Sequence, residues 1–277
     1  MNGMTRRTLF ALSAAAAAPL PPARAAGGRL KQSVARWCYS KIPLDDLCRE
    51  AARIGLKGID LVNSEDWPTV RKHGLVPAMT PGAGSIANAW NRLENHDKLE
   101  QEMRSNLDKA AAAQVPNVIT FSGNRRGQAD AEGLDNCVTG LNRVKKYAED
   151  KGVTINVELL NSKVNHKDYQ CDHTAWGVEL CKRVGSPRVK LLYDIYHMQI
   201  MEGDIIRTVQ QNIQWIGHFH TGGNPGRNEL DDTQELNWRG IARAIADLNY
   251  TGFYAHEFIP KRDPIQSLEE AVRLSEV

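Results

Sequence analysis

One stretch constrains the fold more than any other. Residues 189–227 read VKLLYDIYHMQIMEGDIIRTVQQNIQWIGHFHTGGNPGR. Within it, VKLLYDIYH and IQWIGHFHTG are apolar runs of strand character, and GDIIRTVQQN between them has the apolar spacing of a short helix. Strand, helix and strand in so little chain make a βαβ unit, whose two strands are parallel. Strands buried on both faces read as continuous apolar runs rather than alternating ones. Both runs end in metal-competent groups: Asp194 and His197 on the first, His218 and His220 on the second. Such groups at the carboxyl ends of parallel strands sit where α/β folds keep their sites.

The rest of the chain repeats the unit. Strand-like runs are KQSVARWCYS, KGIDLV, LVPAMTP, PNVITFSG, VTINVELL and GFYAHEFIP. Helical spacing covers residues 44–54, 64–73, 97–114, 131–150, 174–184, 238–248 and 264–277. With the opening unit this makes eight strands, each followed by a helical segment, in a length that suits a single (β/α)8 TIM barrel over residues 27–277. A doubly wound sheet would show a Gly-rich phosphate turn after its first strand, and RWCYSKIP has none. The Gly/Asn-rich segment GAGSIANAWNRLEN is long enough to be a functional loop.

Residues 1–26 stand apart. Arg6 and Arg7 precede the short apolar run TLFALSAAAAAPL, and Ala23-Arg24-Ala25 fits a small-x-small cleavage site. Paired arginines here predict a twin-arginine-type signal peptide, and hence a periplasmic or otherwise exported mature chain. The run is short for a bilayer span, so no membrane contact is expected after cleavage. Without these residues the chain carries 32 basic against 33 acidic residues, which gives no electrostatic reason to expect nucleic acid. The five cysteines form no CxxC pair and read as buried thiols; Cys171–Cys181 is the one short-range pairing an oxidising compartment would suggest.

The strand ends carry the chemistry. Glu158, Asp194, His220 and Glu257 each end one of four neighbouring strands. Three carboxylates gathered at one rim repel unless a positive charge sits among them, and a divalent cation is the simplest one. Hard oxygen ligands with one imidazole suit Mn²⁺, Mg²⁺ or Co²⁺, and Zn²⁺ is compatible. His197, three residues beyond Asp194, could bind substrate or support a ligand carboxylate. His218 shares the face of His220 and reads as a supporting residue. Arg227, in the loop GGNPGR, could clamp a substrate carboxylate or hydroxyls. Asn161, Lys163 and His166 are weaker candidates.

From about Gln32 to the end, the chain resembles the hydroxypyruvate isomerase family, within the xylose isomerase-like barrels. The matching pieces are VELLN at 157–161, YDIYHMQ at 193–199, GHFH at 217–220, PGRNE at 225–229, ELNW at 235–238 and HEF at 256–258. The resemblance implies that Glu158, Asp194, His220 and Glu257 hold the metal and that Glu158 and Glu257 form the acid/base pair. It also implies substrate contacts for His197 and Arg227. Glutamine is usual at the position of His220 in hydroxypyruvate isomerases, whereas related ketose 3-epimerases carry histidine.

Moving a proton between adjacent carbons of an α-hydroxy carbonyl needs a base and a conjugate acid to return the proton. The expected activity is isomerisation or epimerisation of a small hydroxy-carbonyl compound through an enediolate. An exported lyase or isomerase of an oxidised sugar, or a ketose 3-epimerase, is the alternative. A DNA-repair endonuclease of the same barrel would need more histidines and a basic face. A non-catalytic sugar binder would have no need of both glutamates. The order in which the glutamates act, and self-association into a homo-oligomer, are left open.

Overall fold

The computed structural model describes residues 28–277; the expected signal segment lies outside the described residues. The elements in chain order are β1 (Lys31–Ala35), α1 (Leu44–Arg53), β2 (Gly58–Asp60), α2 (Trp67–Lys72), β3 (Val76–Pro77) and β4 (Thr80–Ala83). Then come α3 (His96–Ala112), β5 (Asn117–Thr120), α4 (Asp130–Asn142), α5 (Lys145–Lys151), β6 (Thr154–Leu159), α6 (Thr174–Val184) and β7 (Val189–Asp194). The chain closes with α7 (Ile195–Met201), α8 (Ile205–Asn212), β8 (Ile216–Thr221), α9 (Trp238–Asp247), β9 (Phe253–His256) and α10 (Pro264–Leu274).

All strand pairs are parallel, in the order β3-β2-β1-β9-β8-β7-β6-β5-β4. The two ends of that order, β3 and β4, are consecutive pieces of residues 76–83. Its first part pairs with β2 and its second with β5. The run LVPAMTP therefore forms one strand position that changes partner midway, and the nine strands make a nearly closed parallel barrel. Pro77 and Pro81 offer no backbone N–H, which favours such a break in the ladder.

Side chains alternate about the barrel wall. Val34, Ile59, Val157, Leu191, Tyr193 and Phe219 belong to the large apolar core between sheet and helices. Met79, Ile119 and Leu192 form a separate small cluster, with Leu61 and Phe121 against it. The inward positions on β1, β2 and β8 are polar instead: Ser33, Asp60, His218 and His220 are all fully buried.

Two runs read as long strands end early. VKLLYDIYH stops at Asp194, because its side chain accepts the backbone N–H of His197 at 3.3 Å and starts α7 there. KQSVARWCYS turns into a 3-10 segment at Arg36–Tyr39. The long helix expected over 131–150 is two helices, α4 and α5. Cys171 and Cys181 are unpaired buried thiols, as are Cys48 and Cys137. Among the described residues no helix is long and apolar enough to cross a membrane.

Candidate functional site

The barrel register assembles the site. Asp194 and His220 are register partners on β7 and β8, and Glu158 sits one strand away, opposite Leu192. Glu257 follows β9 and its backbone N–H donates to the Thr221 carbonyl at 2.9 Å. Glu158, Asp194, His220 and Glu257 thus converge at one rim, each buried. One ligand atom from each lies within 4.8 Å of all the others, a spacing that a single cation could span. His220 Nδ1 is 2.7 Å from Glu257 Oε2 and 3.8 Å from Glu158 Oε1. It is nonetheless buried without a hydrogen-bond partner of good geometry.

Arg227 supplies the positive charge among these groups. Its Nη2 lies 2.6 Å from Asp194 Oδ2 and also meets Glu257 Oε2. Its Nη1 lies 2.6 Å from His197 Nε2. The side chain packs between the Trp37 and Tyr196 rings, 5.7 and 5.1 Å from their centroids. Its backbone is left-handed at φ 57°, a strained state for arginine. The Ile259 N–H donates to its carbonyl at 2.7 Å and holds it there. Glu229 anchors the same loop, accepting the Lys261 and Arg262 backbone N–H groups at 2.8 and 3.0 Å and the Ser267 hydroxyl at 3.0 Å.

His197 is fully buried and its Nδ1 accepts the Asn161 backbone N–H at 3.1 Å. Burial, with Arg227 adding to it, holds His197 well below the usual histidine range. Its Nε2 faces the Arg227 guanidinium, which Asp194 and Glu257 hold in place.

The two glutamates are pushed apart in acidity. Burial, and then the neighbouring Glu257 charge, push Glu158 up to about 8. Burial would raise Glu257 too, but Arg227 and His220 outweigh it, aided by the Trp37 indole, and hold it well below the carboxylate range. Such divergence between paired carboxylates separates an acid from a base. Asp194 is pushed up to about 6 by burial, against the pull of Arg227.

The principal site residues expected from sequence, Glu158, Asp194, His197, His220, Arg227 and Glu257, lie at this rim. Lys163 does not: its ammonium donates to the carbonyls of Ile200 and Met201 near the end of α7. The His166 ring sits half-buried, 5.1 Å from the His197 ring. Two residues escaped sequence reasoning. Trp37 donates its indole N–H to Glu257 Oε1 at 2.5 Å. Asp60 meets both histidines of β8, with Oδ2 2.5 Å from His218 Nε2 and 3.3 Å from His220 Nε2. Burial would raise Asp60, but the two imidazoles outweigh it and hold it far below the carboxylate range. The only signal for Asp60 was a charge ending the apolar strand KGID.

A family model described as the xylose isomerase-like TIM barrel matches residues 48–276. A Danio rerio protein named "Putative hydroxypyruvate isomerase" is 28% identical over 84% of this chain and 91% of its own length. The Agrobacterium fabrum D-psicose 3-epimerase is 37% identical over 42% of this chain and 38% of its own. A crystal structure titled AP endonuclease, family 2, from Brucella melitensis has a TM-score of 0.76 at 22% identity, covering 86% of this chain and 97% of that one. At that identity the likeness shows the fold alone.

Proposed function

The chain belongs to the xylose isomerase-like TIM barrel family, and from that premise we propose that it is a divalent-metal-dependent isomerase or epimerase of a small hydroxy-carbonyl substrate. The relatives' names support an isomerase acting on a sugar-like compound. The interconversion of hydroxypyruvate and tartronate semialdehyde is the leading reaction. The observation that carries the reading is the convergence of Glu158, Asp194, His220 and Glu257 within 4.8 Å, with the His220 Nδ1 unpartnered among them.

These residues fit a hard divalent cation. They offer three carboxylates and one imidazole, all buried, and the local charge is otherwise balanced only by Arg227 and His220. Mn²⁺, Mg²⁺ or Co²⁺ suits this donor set, with Zn²⁺ compatible. Such an ion would supply Lewis-acid polarisation of the substrate carbonyl.

The chain's own groups do the proton work. Glu257, favoured as the carboxylate, takes the proton from the carbon next to the carbonyl. Glu158, favoured as the neutral acid, delivers one to the neighbouring position, and the enediolate lies between the two steps. The His197 Nε2 edge, beside the Arg227 guanidinium, is placed to contact a substrate oxygen. Arg227, drawn off the carboxylates when a cation takes their charge, is free to bind a substrate carboxylate or hydroxyl.

The second reading is a ketose 3-epimerase, or a lyase or isomerase of an oxidised sugar. The imidazole at position 220 and the local likeness to the D-psicose 3-epimerase favour it. The twin-arginine-type segment at residues 1–26 supports action outside the cytoplasm. The test is chelator treatment followed by re-loading with Mn²⁺, Mg²⁺ or Co²⁺, assayed on hydroxypyruvate and on D-psicose. Turnover of either should vanish and return with the metal; full turnover after exhaustive chelation would reject the metal role.

A further inference from the structure

We propose that Asp60 is a positioning residue for His220, fixing its ring so that Nδ1 faces the carboxylate cluster. This rests on the reading of that cluster as a cation site. β2 and β8 are separated by β1 and β9 in the sheet. The contact therefore crosses the barrel interior rather than running along the wall. There Asp60 Oδ2 lies 3.3 Å from His220 Nε2. Asp60 is itself held in place: Oδ1 accepts the Ser33 hydroxyl at 2.6 Å, and Oδ2 lies 2.5 Å from His218 Nε2.

For a cation-bound ring the chemistry allows one arrangement. An ionised carboxylate only accepts hydrogen bonds, so a ring nitrogen facing it must carry the hydrogen. With a cation in the cluster the imidazole is neutral and carries one hydrogen, which leaves the lone pair on Nδ1 for the ion. That is the nitrogen 2.7 Å from Glu257 Oε2. The His218 ring lies edge-on to His220, with centroids 5.1 Å apart, and stacks on Phe253. Flipping the His220 ring would set a carbon against Asp60 and another against the cluster. Metal-bound histidines are commonly oriented by a carboxylate on the far nitrogen. Here that carboxylate comes from a strand three positions away round the barrel.

The alternative is that Asp60 merely satisfies two buried histidines. Calorimetric titration of the chelator-treated full chain with Mn²⁺ separates the two. Asp60→Asn keeps the volume but can donate to Nε2, which would place the hydrogen on Nδ1. The expected result is Mn²⁺ binding weakened roughly 10–100-fold relative to wild type. A purely structural role would lower the metal-free Tm of Asp60→Asn and leave the Kd unchanged, and an unchanged Kd overturns the proposal. Wild-type protein that takes up no Mn²⁺ would overturn the cation reading itself, and the inference with it. Should Asp60→Asn not fold, ¹⁵N-histidine NMR of the wild type with Mg²⁺ reads the ring directly. His220 should carry its hydrogen on Nε2, and a hydrogen on Nδ1 overturns the proposal.

Discussion

Trp37 and Glu257, at opposite ends of the barrel sequence, share a hydrogen bond of 2.5 Å. The pairing of β1 with β9, Val34 opposite His256, brings the two together. Trp37 is 44% exposed while Glu257 is buried. Trp37 is thus both part of the mouth of the site and a donor to its proposed base. A hydrogen bond to a charged group is worth about 1.5–3 kcal/mol. Trp37→Phe keeps an aromatic ring and removes the donor, so kcat should fall roughly tenfold or more. A variant with unchanged kcat would show that the bond has no part in holding the base.

Glu158→Gln and Glu257→Gln should each abolish most turnover with the fold intact. Glutamine keeps the shape and an oxygen ligand but cannot take up and return a proton at neutral pH. General acid–base catalysis contributes roughly 10²–10⁴-fold per group. Steady-state kinetics with circular dichroism as the fold check decides it, and a loss below about tenfold argues against that residue's role.

Arg227→Ala should raise KM more than it lowers kcat, because the guanidinium is placed to bind substrate rather than to move a proton. It should also lower the Tm of chelator-treated protein more than that of metal-loaded protein. In the first, Asp194 and Glu257 lose the cation that neutralises them. Equal Tm losses in both forms would contradict that account.

Glu229 ties the Arg227 loop to the segment after β9. Burial would raise its carboxyl, but the Arg262 and Lys261 N–H groups and the Ser267 hydroxyl outweigh it and hold it below the usual range. A depressed folded-state pKa stabilises fully above the unfolded value of about 4.3 and is lost as pH falls through the folded one. Glu229→Gln should therefore cost about 1–2 kcal/mol at neutral pH. Denaturant unfolding should show the gap to wild type narrowing only below about pH 4.3. A gap independent of pH down to acid would assign the loss to packing instead.

Much of this site was legible because strand-end position and ligand chemistry coincide. Glu158, Asp194, His220 and Glu257 each close an apolar run, and parallel strands carry their ends to one rim. Asp194 shows where that reading stops. A continuous apolar run cannot reveal that the aspartate caps a helix, so IYH was read as strand. Trp37 and Asp60 were missed for a different reason. Their roles depend on barrel closure, which sets the turn after β1 beside β9 and points β2 across the interior at β8. Residue spacing along the chain holds no trace of such contacts. The split of residues 76–83 between two partners was invisible as well, since both halves are extended backbone.

The central claim is that this rim removes and returns a proton at the carbon next to a carbonyl. Incubation of metal-loaded protein with hydroxypyruvate or a ketose in D₂O, followed by NMR, tests it directly. The account predicts solvent deuterium at that carbon in the wild type and none with Glu257→Gln. Glu158→Gln should still exchange the first proton but fail to complete isomerisation. Product formed without any solvent deuterium at the reacting carbons, on every substrate turned over, would contradict the enediolate route.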